Sequence, residues 1–123
     1  MTAQDLINDL NLLVDRLEEN FHPDEQLKIS GMYVWCYGAA EFEAASKLMG
    51  TTCEPTYQAT NMSLRDVLPG GLELYASVDY SKIGKKLTPN PPEPTNAPPS
   101  TFEIDPKFVK IIEEKIGKEM PKV

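Results

Sequence analysis

The stretch GGLELYASVDY, Gly70–Tyr80, decides how the rest of the chain is read. Leu72, Leu74, Ala76, Val78 and Tyr80 alternate with Glu73, Tyr75, Ser77 and Asp79. Only extended backbone sends alternate residues to opposite sides, so this period of two predicts a strand with one apolar face. The other face belongs to solvent or to a partner. One such strand cannot bury its apolar face alone; neighbouring strands and a covering layer must come from elsewhere in the sequence.

The residues before it supply both. Leu6, Ile7, Leu10, Leu13, Val14, Leu17 and Phe21 recur at helical spacing, and Thr2 with Asp5 three residues later forms a capping-box start. The spacing predicts a helix from about residue 3 to 20, with Gln4, Asn8, Asn11, Asp15, Glu18 and Glu19 facing water. Leu12 lies off the stripe and would mark a second contact. HPDEQ (22–26) breaks the helix, and LKISGMYVWCY (27–37) changes the period to two. Here Ser30-Gly31 is read as a hairpin turn between short strands, the alternative being a bulge at Gly31 within one long strand. The unbroken apolar run from Met32 to Tyr37 is expected to be a central strand buried on both faces. GAAEFEAASKLMG (38–50) predicts a short helix with Phe42, Ala45, Leu48 and Met49 inward and Gly50 as its stop. TTCEPTYQAT (51–60) reads as an edge strand weakened by Pro55, and NMSLRDVLPGG (61–71) as a turn holding one helical turn.

The residues after Tyr80 are unusual. Between Thr88 and Thr101 there are six prolines in fourteen residues, a composition that forms neither helix nor central strand. Beyond it, Asp105 then Pro106 is a strong helix start. Ile104 and Val109 are spaced for a hydrophobic staple, and Gly117 can end the helix. Phe108, Val109, Ile112 and Ile116 form its apolar stripe. A helix of about 12 residues is marginal alone in water, so this stripe needs a docking surface. A polyproline segment of this length spans up to roughly 43 Å. That reach leaves three destinations open: the chain's own body, a sister subunit in a homodimer, or a foreign protein.

The fold class is therefore α+β: a small, mainly antiparallel sheet with helices on one face, a Pro-rich linker and a C-terminal amphipathic helix. The expected division is a body over 1–87, a linker over 88–101 and a helical docking segment over 102–123. The order of a leading amphipathic helix, a β segment, EFEAASKLMG (41–50) and a last strand of the form GGLELYASVDY resembles small proteins encoded by bacteriophages and prophages, over about residues 5–80. The match is a packing pattern, and most such proteins have no assigned function. The resemblance implies a viral or mobile-element origin and carries over no catalytic residue.

Composition and charge bound the function. Residues 1–80 hold 13 acids and 4 bases, a charge of −9; residues 81–123 hold 6 acids and 8 bases, a charge of +2, which together give the formal −7. An acidic body repels phosphates, which argues against direct binding of nucleic acid. The acidic N-terminus lacks the pattern of a secretory signal, and no apolar stretch is long enough to span a bilayer. A cytoplasmic location is expected, with Cys36 and Cys53 as reduced, buried thiols.

No constellation reaches a catalytic, metal or cofactor signature. His22 is the single histidine and sits in a loop beside Pro23, Asp24 and Glu25, too few ligands for a metal. Glu41 and Glu43 are two apart on a helix and point in different directions. Neither cysteine has a histidine partner in the sequence pattern, and no glycine-rich loop precedes a helix. The expectation is a non-enzymatic protein that works by protein–protein contact, on a host protein or by self-association. The alternative rests on Tyr33, Trp35 and Tyr37, whose period-two spacing puts them on one sheet face. They could stack a nucleobase while Arg65 meets a phosphate. A small sheet more often fills its core with its largest side chains, so Trp35 is expected to be largely buried.

Overall fold

The computed structural model describes residues 1–27, 29, 31–87, 98 and 101–121. In chain order its elements are α1 (Ala3–Asn20), β1 (Gly31–Cys36), α2 (Ala39–Ser46), β2 (Glu54–Tyr57), β3 (Asn61–Val67), β4 (Glu73–Asp79), α3 (Tyr80–Ile83), β5 (Gly84–Lys86), β6 (Phe102–Ile104) and α4 (Pro106–Ile116). The α+β class is as expected. Four strands form one sheet in the order β1-β4-β3-β2, with β1 parallel to β4 and the other pairs antiparallel. β4, the strand of the opening stretch, lies inside the sheet.

One face of this sheet carries the core. Cys36, Tyr57, Met62, Leu64, Ala76 and Val78 are buried there beneath α2 and α4, with Tyr80 and Ile83 of α3 closing one end. α2 contributes Phe42, Ala45 and Ser46, and Met49 follows in the turn beyond it. Leu48, expected inward, is 55% exposed because the helix ends before it.

Four expectations need correction. The strand β1 starts at Gly31, so Leu27 and Ile29 lie outside it and no Ser30-Gly31 hairpin forms; Ser30 itself is outside the described residues. Gly31 is required at that start, since a Cβ there would stand 2.9 Å from the Glu73 carbonyl oxygen. β1 is an edge strand, paired only with β4 and buried on one side, where a central strand was expected. Residues 61–67 form β3, the strand that joins the two halves of the sheet, and the turn follows it at Leu68–Gly71.

The fourth correction concerns the tail. β5 and β6 pair antiparallel, with Gly84 opposite Ile104 and Lys86 opposite Phe102, and the Leu87 amide donates to the Thr101 carbonyl at 2.6 Å. The two ends of the Pro-rich segment are thus held together, and α4 is delivered back to the body. The polyproline span expected for 88–101 falls almost wholly outside the described residues. Asp105 and Pro106 open α4 as the N-cap and first residue, and Gly117 ends it in the left-handed region at φ 73°. Phe108, Ile112 and Ile116 are buried, and Val109 is half-buried. The Phe108 ring packs on Phe42 with centroids 6.1 Å apart. Lys115 donates to the Met49 carbonyl at 2.9 Å, and the Cys53 amide to the Lys115 carbonyl at 2.7 Å. Of the three destinations open to this docking stripe, the structure shows the first: Phe108, Ile112 and Ile116 are part of the chain's own core, so the segment over 102–121 packs with the body rather than apart from it.

Candidate docking surfaces

With α4 accounted for, two apolar surfaces remain uncovered among the described residues. The first is α1. Its capping box forms as the sequence predicts: the Asp5 amide donates to the Thr2 hydroxyl at 3.1 Å and the Thr2 amide to the Asp5 carboxylate at 2.9 Å. Those bonds hold the Asp5 carboxyl below its ordinary value. Yet none of its 18 residues is buried. Ile7, Leu10, Leu13, Val14, Leu17 and the capping Phe21 are between 37% and 51% exposed, which is the exposure of a helix standing in water. The stripe continues past the helix end, where Leu17, Phe21, Pro23 and Leu27 line an open recess of about 340 Å³ rimmed by Glu18, His22 and Glu25. His22 accepts a hydrogen bond from the Asp24 amide at 3.3 Å, a solvated turn as expected.

The second surface is the outer face of the sheet. Register places Tyr33 beside Tyr75 and Trp35 beside Ser77, then Ser77 beside Ser63, Tyr75 beside Arg65 and Arg65 beside Glu54. Trp35 is 48% exposed, Tyr33 75% and Tyr37 71%. The expectation that Trp35 fills the core fails for a physical reason: period two puts it opposite Cys36, and it is Cys36 that points into the core. Tyr33 stacks on Tyr75 with centroids 4.6 Å apart and planes 9° from parallel, while Trp35 and Tyr37 meet edge to face at 6.5 Å.

The polar groups of this face satisfy one another. Arg65 donates through Nη1 to Glu54 at 2.8 Å and through Nε and Nη2 to Glu73, whose second oxygen accepts from the Tyr75 hydroxyl. The Glu73 contact pushes the Arg65 guanidinium further up from its already high value, and the same guanidinium lowers the Glu73 carboxyl. Ser63 and Ser77 hydroxyls bond to each other at 2.8 Å. The structure therefore brings Tyr33, Trp35, Tyr37 and Arg65 onto one face, and spends Arg65 on two carboxylates.

Among the described residues, no group of three or more His, Cys, Asp or Glu stands close enough to hold a metal ion. Cys36 and Cys53 are buried and free, and burial, then Glu41, pushes the Cys36 thiol up to about 11. A thiol so shifted is a poor nucleophile at neutral pH. Comparison with known proteins found no matching family profile, no matching curated protein and no matching solved structure. Sequence reasoning had identified the α1 stripe as apolar but assumed that it was covered. The sheet-face network around Glu54 and Glu73 was missed, because β3 was read as a turn and its register was then invisible.

Proposed function

We propose that this chain is a non-enzymatic protein–protein interaction module whose docking surfaces are α1 and the outer sheet face. The observation that carries the reading is an 18-residue helix with a continuous apolar stripe and no buried residue. A helix in a protein takes most of its stability from packing its amphipathic face, and an apolar patch of this kind marks an interaction site. Lipid is a poor occupant. The polar side of α1 holds five acids and one base, whereas interfacial helices present lysine and arginine to anionic headgroups. No described helix is long and apolar enough to cross a membrane. A phage or prophage origin and action inside the host cytoplasm rest on the sequence resemblance alone.

The alternative, a nucleotide-binding face, has the three exposed aromatics in its favour. Against it, Arg65, the cation of this face among the described residues, already answers two carboxylates, so the cluster of Glu54, Arg65 and Glu73 carries a net −1 toward an incoming phosphate. The test pairs two measurements at dilute protein concentration. Leu10→Asp with Leu13→Asp should leave the melting temperature of the body unchanged, since the stripe is no part of its core. A panel of purine nucleotides and cyclic dinucleotides should leave it unchanged as well. A loss of several degrees in the double variant would show that the stripe serves its own chain. A rise with a nucleotide would give the sheet face to the ligand.

A further inference from the structure

Resting on that reading, we infer that the occupant is a second copy of this chain: the α1 helix of each protomer lies across the outer sheet face of the other, in a two-fold symmetric dimer.

Three observations carry it. The first is width. In helical projection, Leu6, Leu10, Leu13 and Leu17 take the a and d positions of a heptad, and Ile7, Val14 and Phe21 all fall at e. A strict a/d seam suits a two-stranded coiled coil; adding e broadens the stripe to one that packs on an extended surface. At about 1.5 Å per residue the 18 residues of α1 run about 27 Å. The seven residues each of β3 and β4 run about 23 Å. The helix fits the sheet along its length.

The second is area. Burying an aliphatic side chain removes about 60–120 Å² from water, from ~1.5–3 kcal/mol at ~25 cal/mol per Å². Scaled by the exposures of the α1 stripe, this leaves roughly 160–320 Å² to cover per chain. An α1–α1 pair would therefore bury on the order of 300–650 Å², short of the ~1,000 Å² that a specific interface needs. Tyr33, Trp35 and Tyr37 together leave on the order of 300–500 Å² exposed, taking ~150–250 Å² per aromatic. Helix on sheet, counted for two symmetric contacts, reaches about 900–1,600 Å², most of which clears that threshold.

The third is polarity. A face that is to be covered by leucines must not strand its polar groups. On this face the Ser63 and Ser77 hydroxyls bond each other, and Arg65, Glu54, Glu73 and the Tyr75 hydroxyl bond among themselves. In this arrangement the acidic side of α1 stays in water.

The test uses the full chain in sedimentation equilibrium and light scattering. The expected particle has twice the 13.7 kDa of one chain. Dilution should halve its mass and shift Trp35 emission to the red. Leu10→Asp with Leu13→Asp should give a monomer, and so should Tyr33→Ser with Trp35→Ser, each with the circular dichroism of a folded body. Should the second pair unfold the chain, Tyr33→Lys alone, at a position 75% exposed, reads the same contact. A dimer that survives the sheet-face change is held by α1 on α1, and one that survives the α1 change is held by sheet on sheet; either overturns the inference. A monomer at every concentration overturns it too, and amide exchange in α1 then separates the two levels. Fast exchange leaves the stripe open for another protein, so the docking reading stands. Slow exchange places the stripe on its own chain, and both fall.

Discussion

Truncating Ile112 to alanine probes whether α4 closes the core of its own chain. The side chain is wholly buried, and its neighbours along the stripe, Phe108 and Ile116, are each 5% exposed. Removing an isoleucine to alanine in such a site costs about 2–5 kcal/mol, part transfer and part cavity. A chain of this size is stable by about 5–15 kcal/mol in all. At a urea slope of about 1.5 kcal/mol per M, a loss of ~3 kcal/mol lowers the midpoint by ~2 M. The assay is urea unfolding at one fixed protein concentration, with Lys110→Ala on the exposed side of the same helix as the control, expected to stay within ~0.5 kcal/mol. Particle mass should not change in either variant. If Ile112→Ala leaves the midpoint within ~0.3 M of the parent chain, α4 is not docked on this body, and the pairing of β5 with β6 has been given the wrong consequence.

The remaining predictions test single contacts. Gly84→Ala should cost about 1–3 kcal/mol in thermal unfolding, because its Cβ would stand 2.3 Å from the Glu103 carbonyl oxygen across the β5–β6 pair; an unchanged melting temperature would refute that close approach. Tyr80→Phe should leave stability equal or raise it by about 1 kcal/mol, since the buried hydroxyl has no hydrogen-bond partner among the described residues; a loss would reveal a bond at that oxygen. Arg65 holds the Glu73 carboxyl below its ordinary value of 4.5, so the stability it contributes is present above about pH 4.5 and is lost as pH falls through the lowered folded value. Glu73→Gln should therefore be less stable than the parent at pH 7 and converge on it in acid, and parallel pH profiles would count against the Arg65 contact.

What was legible in the sequence was local. Thr2 with Asp5, the 3.6 period of α1, the alternation of β4, Pro55 at an edge strand, and Asp105-Pro106 with Gly117 around α4 each declare themselves within a few residues, and each is seen in the structure. What was not legible depends on distant partners. β3 alternates Met62 and Leu64 against Ser63 and Arg65, but it lies between turn-forming neighbours and its polar half is as long as its apolar half. β5 and β6 are three residues each and find each other across the proline segment, a pairing with no local signal. The run from Met32 to Tyr37 misled for a different reason: apolar side chains on both faces of a strand look the same whether the second face is covered by the chain's own core or left for another molecule.

That ambiguity is sharpest in the two long amphipathic helices. α1 and α4 carry the same kind of stripe, yet one buries none of its residues and the other buries three. The difference lies in what precedes each. α4 is held at its N-terminal side by β6, and its entry is fixed by the Asp105 amide donating to the Ile83 carbonyl at 2.9 Å. α1 has no strand pairing next to either of its ends among the described residues. An element placed by a sheet is delivered to the core at little further loss of chain entropy, whereas one joined by a loop must gain enough from contact to offset its own ordering. The inner face of the sheet is already filled by α2, α3 and α4, so among the described residues the comparable apolar surface left for α1 is the aromatic outer face. The same count of faces that closes the core around α4 is what leaves α1 and that outer face as a matched pair.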